Sequence, residues 1–161
     1  MALYTFKQGP LSSLAHDLKL SLEQFSVDQE GEAVVVTCPL DTLRVEGVVD
    51  GDSVDTSRPS AADRKRILAA VHDEILDSSR YPTAVYRAKA RAEGSGYALE
   101  GFLTLRGVTQ LVDFSARRLG SFLCGEVELA PSRFGIEPYR ALLGAIKLSD
   151  RVRIEFRQPD S

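Results

Sequence analysis

The chain has 161 residues, enough for one domain that buries a substantial hydrophobic core. Apolar residues make up 43% and charged residues 27%, a balance that excludes wholesale disorder. Net charge is −3 with both signs mixed along the chain; no basic block could track a phosphate backbone, so no nucleic-acid partner is expected.

The opening Met1–Pro10 has no cationic region followed by a long apolar run, so no export signal is read there and a cytoplasmic setting is expected. No stretch approaches ~18 consecutive apolar residues, which excludes a spanning helix. Cys38 and Cys124 are far apart and form no CxxC pair, so two reduced thiols in apolar surroundings are the simplest expectation.

In chain order, period-two alternation dominates. His16, Leu18, Leu20 and Leu22 alternate with Asp17, Lys19, Ser21 and Glu23, which gives one apolar and one polar face. Ala33–Thr37 is a β-branched run closed by Pro39, and Leu43–Val48 alternates again. The short Pro39–Thr42 connection predicts a hairpin between these two runs. The polar segment Asp50–Pro59 predicts a loop.

The period then changes. Ser60 followed by Asp63 resembles a capping box, and Ile67, Leu68, Val71 and Ile75 fall on one helical stripe. Arg64, Lys65, Asp73 and Glu74 occupy the opposite face, and the residue before Pro82 marks the stop. One amphipathic helix is predicted over about residues 60–77. After Pro82 the strands resume: 85–91 and 97–105 around Gly94 and Gly96, 108–117 after Arg106-Gly107, 122–129 after Gly120, and a closing 151–157. Roughly eight strands and one inserted helix suit a mainly β protein, an eight-stranded antiparallel lipocalin-like barrel.

Three segments carry a family resemblance. Asp63-Arg64 through Arg80-Tyr81-Pro82-Thr83 is similar to a helix that ends in Tyr-Pro and enters a strand. Glu100–Thr109 resembles a Gly-x-Leu-Thr-hydrophobic-x-Gly-Val-Thr hairpin. Ser132–Ile136, Leu143-Gly144 and Asp150–Val152 resemble the C-terminal pattern that follows it. Together, in this order, they resemble the YceI family, and His16-Asp17 is similar to a pair in one branch of it. The resemblance implies a single lipocalin-like barrel over residues 1–161 that holds a long isoprenoid or similar lipid, with no catalytic residues to carry across.

Read as chemistry, the residues offer little else. His72-Asp73-Glu74 lacks the HExxH spacing of a zinc site and reads as a solvated helix face. Gly94-Ser95-Gly96 is no nucleophile elbow, and Asp50, Asp52 and Asp55 lack the glycine and glutamate of a calcium loop. No catalytic residue, metal or cofactor is therefore expected.

The apolar faces remain. Leu20, Leu22, Val36, Leu43, Val45, Val85, Leu103, Leu105, Phe114, Val152, Ile154 and Phe156 sit on strand faces, with Phe134 near the barrel mouth and Ile67, Val71 and Ile75 on the helix stripe. A buried methylene contributes about 0.8 kcal/mol, so a long chain needs no special motif. The expected partner is a hydrophobic small molecule or lipid, carried or sequestered without catalysis. His16, Arg106 and Arg133 are candidate headgroup contacts. The alternative is a barrel filled by side chains that acts as an interaction module, and a homodimer through an exposed strand or helix face stays open.

Overall fold

The computed structural model describes residues 1–8, 16–141 and 146–159. Its strands are β1 (Ala2–Gln8), β2 (Asp17–Leu22), β3 (Ser26–Glu30), β4 (Ala33–Pro39), β5 (Leu43–Asp50) and β6 (Ser53–Asp55), then β7 (Thr83–Glu93), β8 (Gly96–Leu105), β9 (Val108–Leu119), β10 (Phe122–Leu129), β11 (Arg140–Ala141) and β12 (Ile146–Pro159). One helix, α1 (Ala61–Ala70), is inserted between β6 and β7. The protein is mainly β, one curled antiparallel sheet in the order β3-β4-β7-β8-β9-β10-β12-β1-β2-β5-β6, with the short β11 also on β12.

Among the described residues twelve strands stand where eight were expected, and two long arms are interrupted. Glu23–Phe25 leave the ladder between β2 and β3, and Leu40–Thr42 form a 3-10 turn between β4 and β5. The Pro39–Thr42 connection is therefore a bend within an arm and not a hairpin. β4 pairs with β3 and β7, while β5 pairs with β2 and β6. A 3-10 turn advances the chain without reversing it, which the apolar pattern on either side does not reveal. β1, β3, β6 and β11 add to the count; β3 is a short polar run with little alternation to announce it, and β6 and β11 are only three and two residues long.

Between β7 and β9 the pairing is unbroken. β7–β8 runs from Val85–Thr104 to Glu93–Gly96, and β8–β9 from Gly96–Arg117 to Leu105–Val108. Arg106 and Gly107 turn the second hairpin with φ of +51° and +75°, the left-handed pair that matches the twist of the flanking strands.

The helix begins as the sequence predicts: Ser60 caps it by accepting from the Asp63 amide at 3.2 Å. It runs as α-helix to Ala70 and continues through one wider turn, Val71–Ile75, before Tyr81 and Pro82. Arg64, expected on the solvent face, instead clamps the helix to the sheet. Its guanidinium donates to the carbonyls of Val45 at 2.6 Å, Thr56 at 2.5 Å and Pro59 at 3.0 Å. Those carbonyls belong to a strand and loop that α1 covers, and a planar fork of donors can satisfy several at once.

Two apolar clusters line the concave face. One centres on Phe134, 1% exposed, with Ile136, Val112, Tyr86 and Leu99. The other joins Leu22, Leu40, Leu43 and Ala84 beneath Leu68, Val71 and Leu76. Leu103 and Leu105 pack against both.

Candidate functional site

The curled sheet and α1 enclose a cavity of about 610 Å³. Alternation sets its wall: Leu18, Leu20 and Leu22 from β2, Val34 and Val36 from β4, Leu99, Leu103 and Leu105 from β8, and Val152, Ile154 and Phe156 from β12. Leu43 from β5, Phe114 from β9 and Phe134 after β10 complete the apolar surface, and Ile67, Val71 and Ile75 close it from the helix. None of the helical residues is fully buried, because the stripe covers a cavity and not a packed core.

Tyr86, Phe114 and Phe156 form a row across the sheet, with ring centroids 5.4 and 5.6 Å apart. The intervening strands carry Gly101 and Gly125. A Cβ at Gly125 would sit 2.4 Å from the Phe156 ring, and one at Gly101 would meet the Arg87 carbonyl oxygen at 2.4 Å. Gly125 lets the Phe156 ring lie against the wall, and Gly101 lets β8 approach the β7 backbone closely. The Tyr86 hydroxyl donates to the Val112 carbonyl at 2.8 Å, and burial pushes its pKa up, with Asp113 adding to the shift. This phenol stays neutral.

Two expected wall residues lie elsewhere. Val85 is on the other face of β7, since its neighbours Ala84 and Tyr86 line the cavity. Val45 is buried at 6% exposure but does not reach the cavity, because α1 packs over its strand.

The expected headgroup contacts are also displaced. His16 is exposed. The Arg106 guanidinium, held outward by its turn, donates to the Gly135 carbonyl at 3.3 Å. Arg133 is exposed and reaches Gln110 at 3.5 Å. None of the three lines the cavity. The polar groups that do include Thr5, Ser149 and Arg151, together with Arg66 and Glu137. Ser149 and Arg151 come from an irregular stretch of β12, where the pairing with β1 shifts register.

Cys38 and Cys124 are free. Cys38 lines the cavity, and burial pushes its thiol up to about 11. His72 is half-buried, with its Nδ1 2.9 Å from the Ser78 hydroxyl. Among the described residues no group of three or more His, Cys, Asp or Glu side chains could hold a metal ion. Asp55, in the acidic loop, is occupied by hydrogen bonds from Ser57 and Arg58, which lower it to about 2. No helix among the described residues is long and apolar enough to cross a membrane.

A second, open groove of about 840 Å³ lies on the outer face, lined by Lys19, Glu46, Arg117, Glu126, Glu155 and Arg157 among others. It is larger but solvent-facing and of mixed charge, so it offers an apolar chain no shelter.

Comparison with known proteins decides the family. A YceI-like domain model matches residues 13–158. The chain belongs to the YceI-like family. Among solved structures, BcnA of Burkholderia cenocepacia is similar, with TM-score 0.65 and 17% identity over 97% of this chain and 93% of that one. A polyisoprenoid-binding domain from Saccharophagus degradans, implicated in plant cell wall breakdown, gives TM-score 0.61 and 10% identity over 97% and 90%. The YceI protein of Campylobacter jejuni gives 0.54 and 13% over 88% and 84%. At these identities the likeness is one of fold. No curated protein matches significantly.

Proposed function

We propose that this YceI-like protein takes up one long apolar ligand of isoprenoid kind in the cavity beneath α1, and carries or sequesters it without catalysis. The observation that carries the reading is the cavity itself: about 610 Å³, within the range of small-molecule sites, with an almost wholly apolar wall. A side-chain-filled barrel acting as an interaction module would need that volume occupied. The Saccharophagus degradans domain, described as polyisoprenoid-binding, shares the fold and supports the ligand class.

The wall supports enclosure as well. β2–β3 and β4–β5 act as two bent arms, tied at their elbows by the Glu23 amide donating to the Thr42 carbonyl at 3.2 Å. Counted so, β1, β2–β3, β4–β5, β7, β8, β9, β10 and β12 make eight arms, each bonded to the next and β12 back to β1. Such a ring has room for one small ligand.

Magnitudes are adequate. About twenty buried carbons at ~0.8 kcal/mol each give roughly 16 kcal/mol, against an association cost of about 4–15 kcal/mol. Micromolar binding, about 8 kcal/mol, falls inside that range.

Native mass spectrometry of freshly purified protein, followed by solvent extraction, tests this. A discrete adduct that extracts as an isoprenoid lipid is expected. An unmodified mass, together with no thermal protection by added phytanol, would overturn the carrier reading and favour the filled module.

A further inference from the structure

We infer that the Thr5–Ser149 end of the cavity is a subsite for a neutral, oxygen-bearing headgroup, so that the ligand is an isoprenoid with a hydroxyl, carbonyl or amide end and enters with fixed polarity. This rests on the carrier reading and sharpens it.

Thr5 lies on the apolar wall, paired with Leu18 on one side and Val152 on the other, both cavity-lining. Its Oγ1 is shielded from solvent and has no hydrogen-bond partner among the described residues. A buried hydroxyl without a partner is costly, so a group that enters the cavity and bonds to it gains by doing so.

The second observation is independent. Thr5 pairs with Val152 and Lys7 with Leu148, so Phe6 stands opposite Ser149, Asp150 and Arg151. This bulge breaks the alternation of β12: Leu148, Ser149, Arg151 and Val152 all reach the cavity wall. Bulges of this kind re-aim side chains beside functional sites. The bulge is anchored from outside. Asp150 accepts from the Ser132 amide at 2.8 Å and from the Ser132 hydroxyl, and Arg151 Nε donates to Glu128 at 2.5 Å. The bulge thus brings Ser149 to the cavity wall on the strand that pairs with Thr5.

Charge selects the headgroup. Arg151 is matched by Glu128 and Arg66 by Asp63 at 3.6 Å, while Glu137 adds a negative charge to the same cavity wall. Among the described residues both guanidinium groups on this wall are already paired, so a carboxylate or phosphate gains less there than a neutral oxygen that meets the Thr5 hydroxyl.

Binding of phytanol, phytane and phytanic acid, which share one branched skeleton with a hydroxyl, no oxygen and a carboxyl end, tests the assignment in wild type, Thr5→Val and Thr5→Ser. Reading each ligand's change between variants cancels its own water solubility. Thr5→Val should weaken phytanol about fivefold to tenfold while leaving phytane unchanged or tighter. Thr5→Ser should restore phytanol, and phytanic acid, ionised at neutral pH, should bind weakest. If Thr5→Val shifts phytanol and phytane alike, the hydroxyl is satisfied by water and the subsite is wrong, although the carrier reading stands. If wild type binds neither, the carrier reading itself fails and takes this inference with it.

Discussion

Strands β7, β8 and β9 pair residue for residue without a shift, whereas β1, β2, β5 and β12 carry two register shifts and sit beside two broken arms. The regular wall supplies Tyr86, Leu99, Val112 and Ala116, all buried, and two of the three rings of the aromatic row, Tyr86 and Phe114. The irregular wall supplies Thr5, Ser149 and Arg151, the polar end of the same cavity. Regularity maximises ladder bonds and packing, while a bulge gives up some of both to turn a polar side chain inward. One half of the wall holds the chamber together and the other gives it chemistry.

The strongest way to break this contrast is to disrupt the regular half. Gly101→Val would set a Cβ 2.4 Å from the Arg87 carbonyl oxygen and 2.6 Å from the Ala88 Cα, both backbone atoms with no freedom to retreat. A loss of about 3 kcal/mol or more is expected, read as a large drop in the urea midpoint. An unchanged midpoint would mean that the β7–β8 wall is looser than its register implies.

A gentler change belongs in the irregular half. Ser132→Ala removes one of the two groups that hold Asp150 and, with it, the bulge. Hydrogen bonds from the Ser132 hydroxyl, and then from its amide, hold the Asp150 carboxyl below the usual carboxylate range. A lowered carboxylate stabilises the fold above its unfolded value, and that contribution is lost as pH falls through the folded one. At neutral pH the variant should lose about 1 kcal/mol, a figure already discounted for solvent screening. Under acid, once Asp150 is protonated, variant and wild type should converge. A difference that persists unchanged in acid unfolding would assign Ser132 a role unrelated to Asp150.

The same contrast explains what was legible in the sequence. In β8, β9 and the 152–156 stretch of β12, alternation identifies Leu103, Leu105, Phe114 and Ile154 as one face, because a regular stretch of strand obeys period two. In β7 the rule holds but hydrophobicity misleads: the inward positions are Ala84, Tyr86 and Ala90, so Val85 looks the better core residue and faces out. Residues 151–157 read as strict alternation, and nothing in that pattern signals that Ser149 reaches the cavity wall just before it. A bulge is a property of two paired strands and is invisible in either one alone. Arg64 misled for another reason: its helical position is polar, but the carbonyls it serves come from distant β5 and the loop after β6.

The smallest expected effect concerns the two thiols, which sit on opposite faces of the sheet. Cys38 on β4 lines the cavity, and burial raises its pKa to about 11, while Cys124 on β10 borders the outer groove. The thiolate is the nucleophile, so iodoacetamide should label Cys124 first at neutral pH, and Cys38 should respond only as pH approaches the alkaline range. A raised thiol pKa favours the neutral form in the fold. Its contribution is complete below the usual thiol value and fades as pH rises through the folded one, which makes mild alkaline destabilisation part of the same prediction. Bound phytanol should slow Cys38 further and leave Cys124 unchanged. Equal rates at the two thiols, with or without ligand, would place Cys38 outside the chamber, reverse the facing of β4, and remove Val36 from the wall along with it.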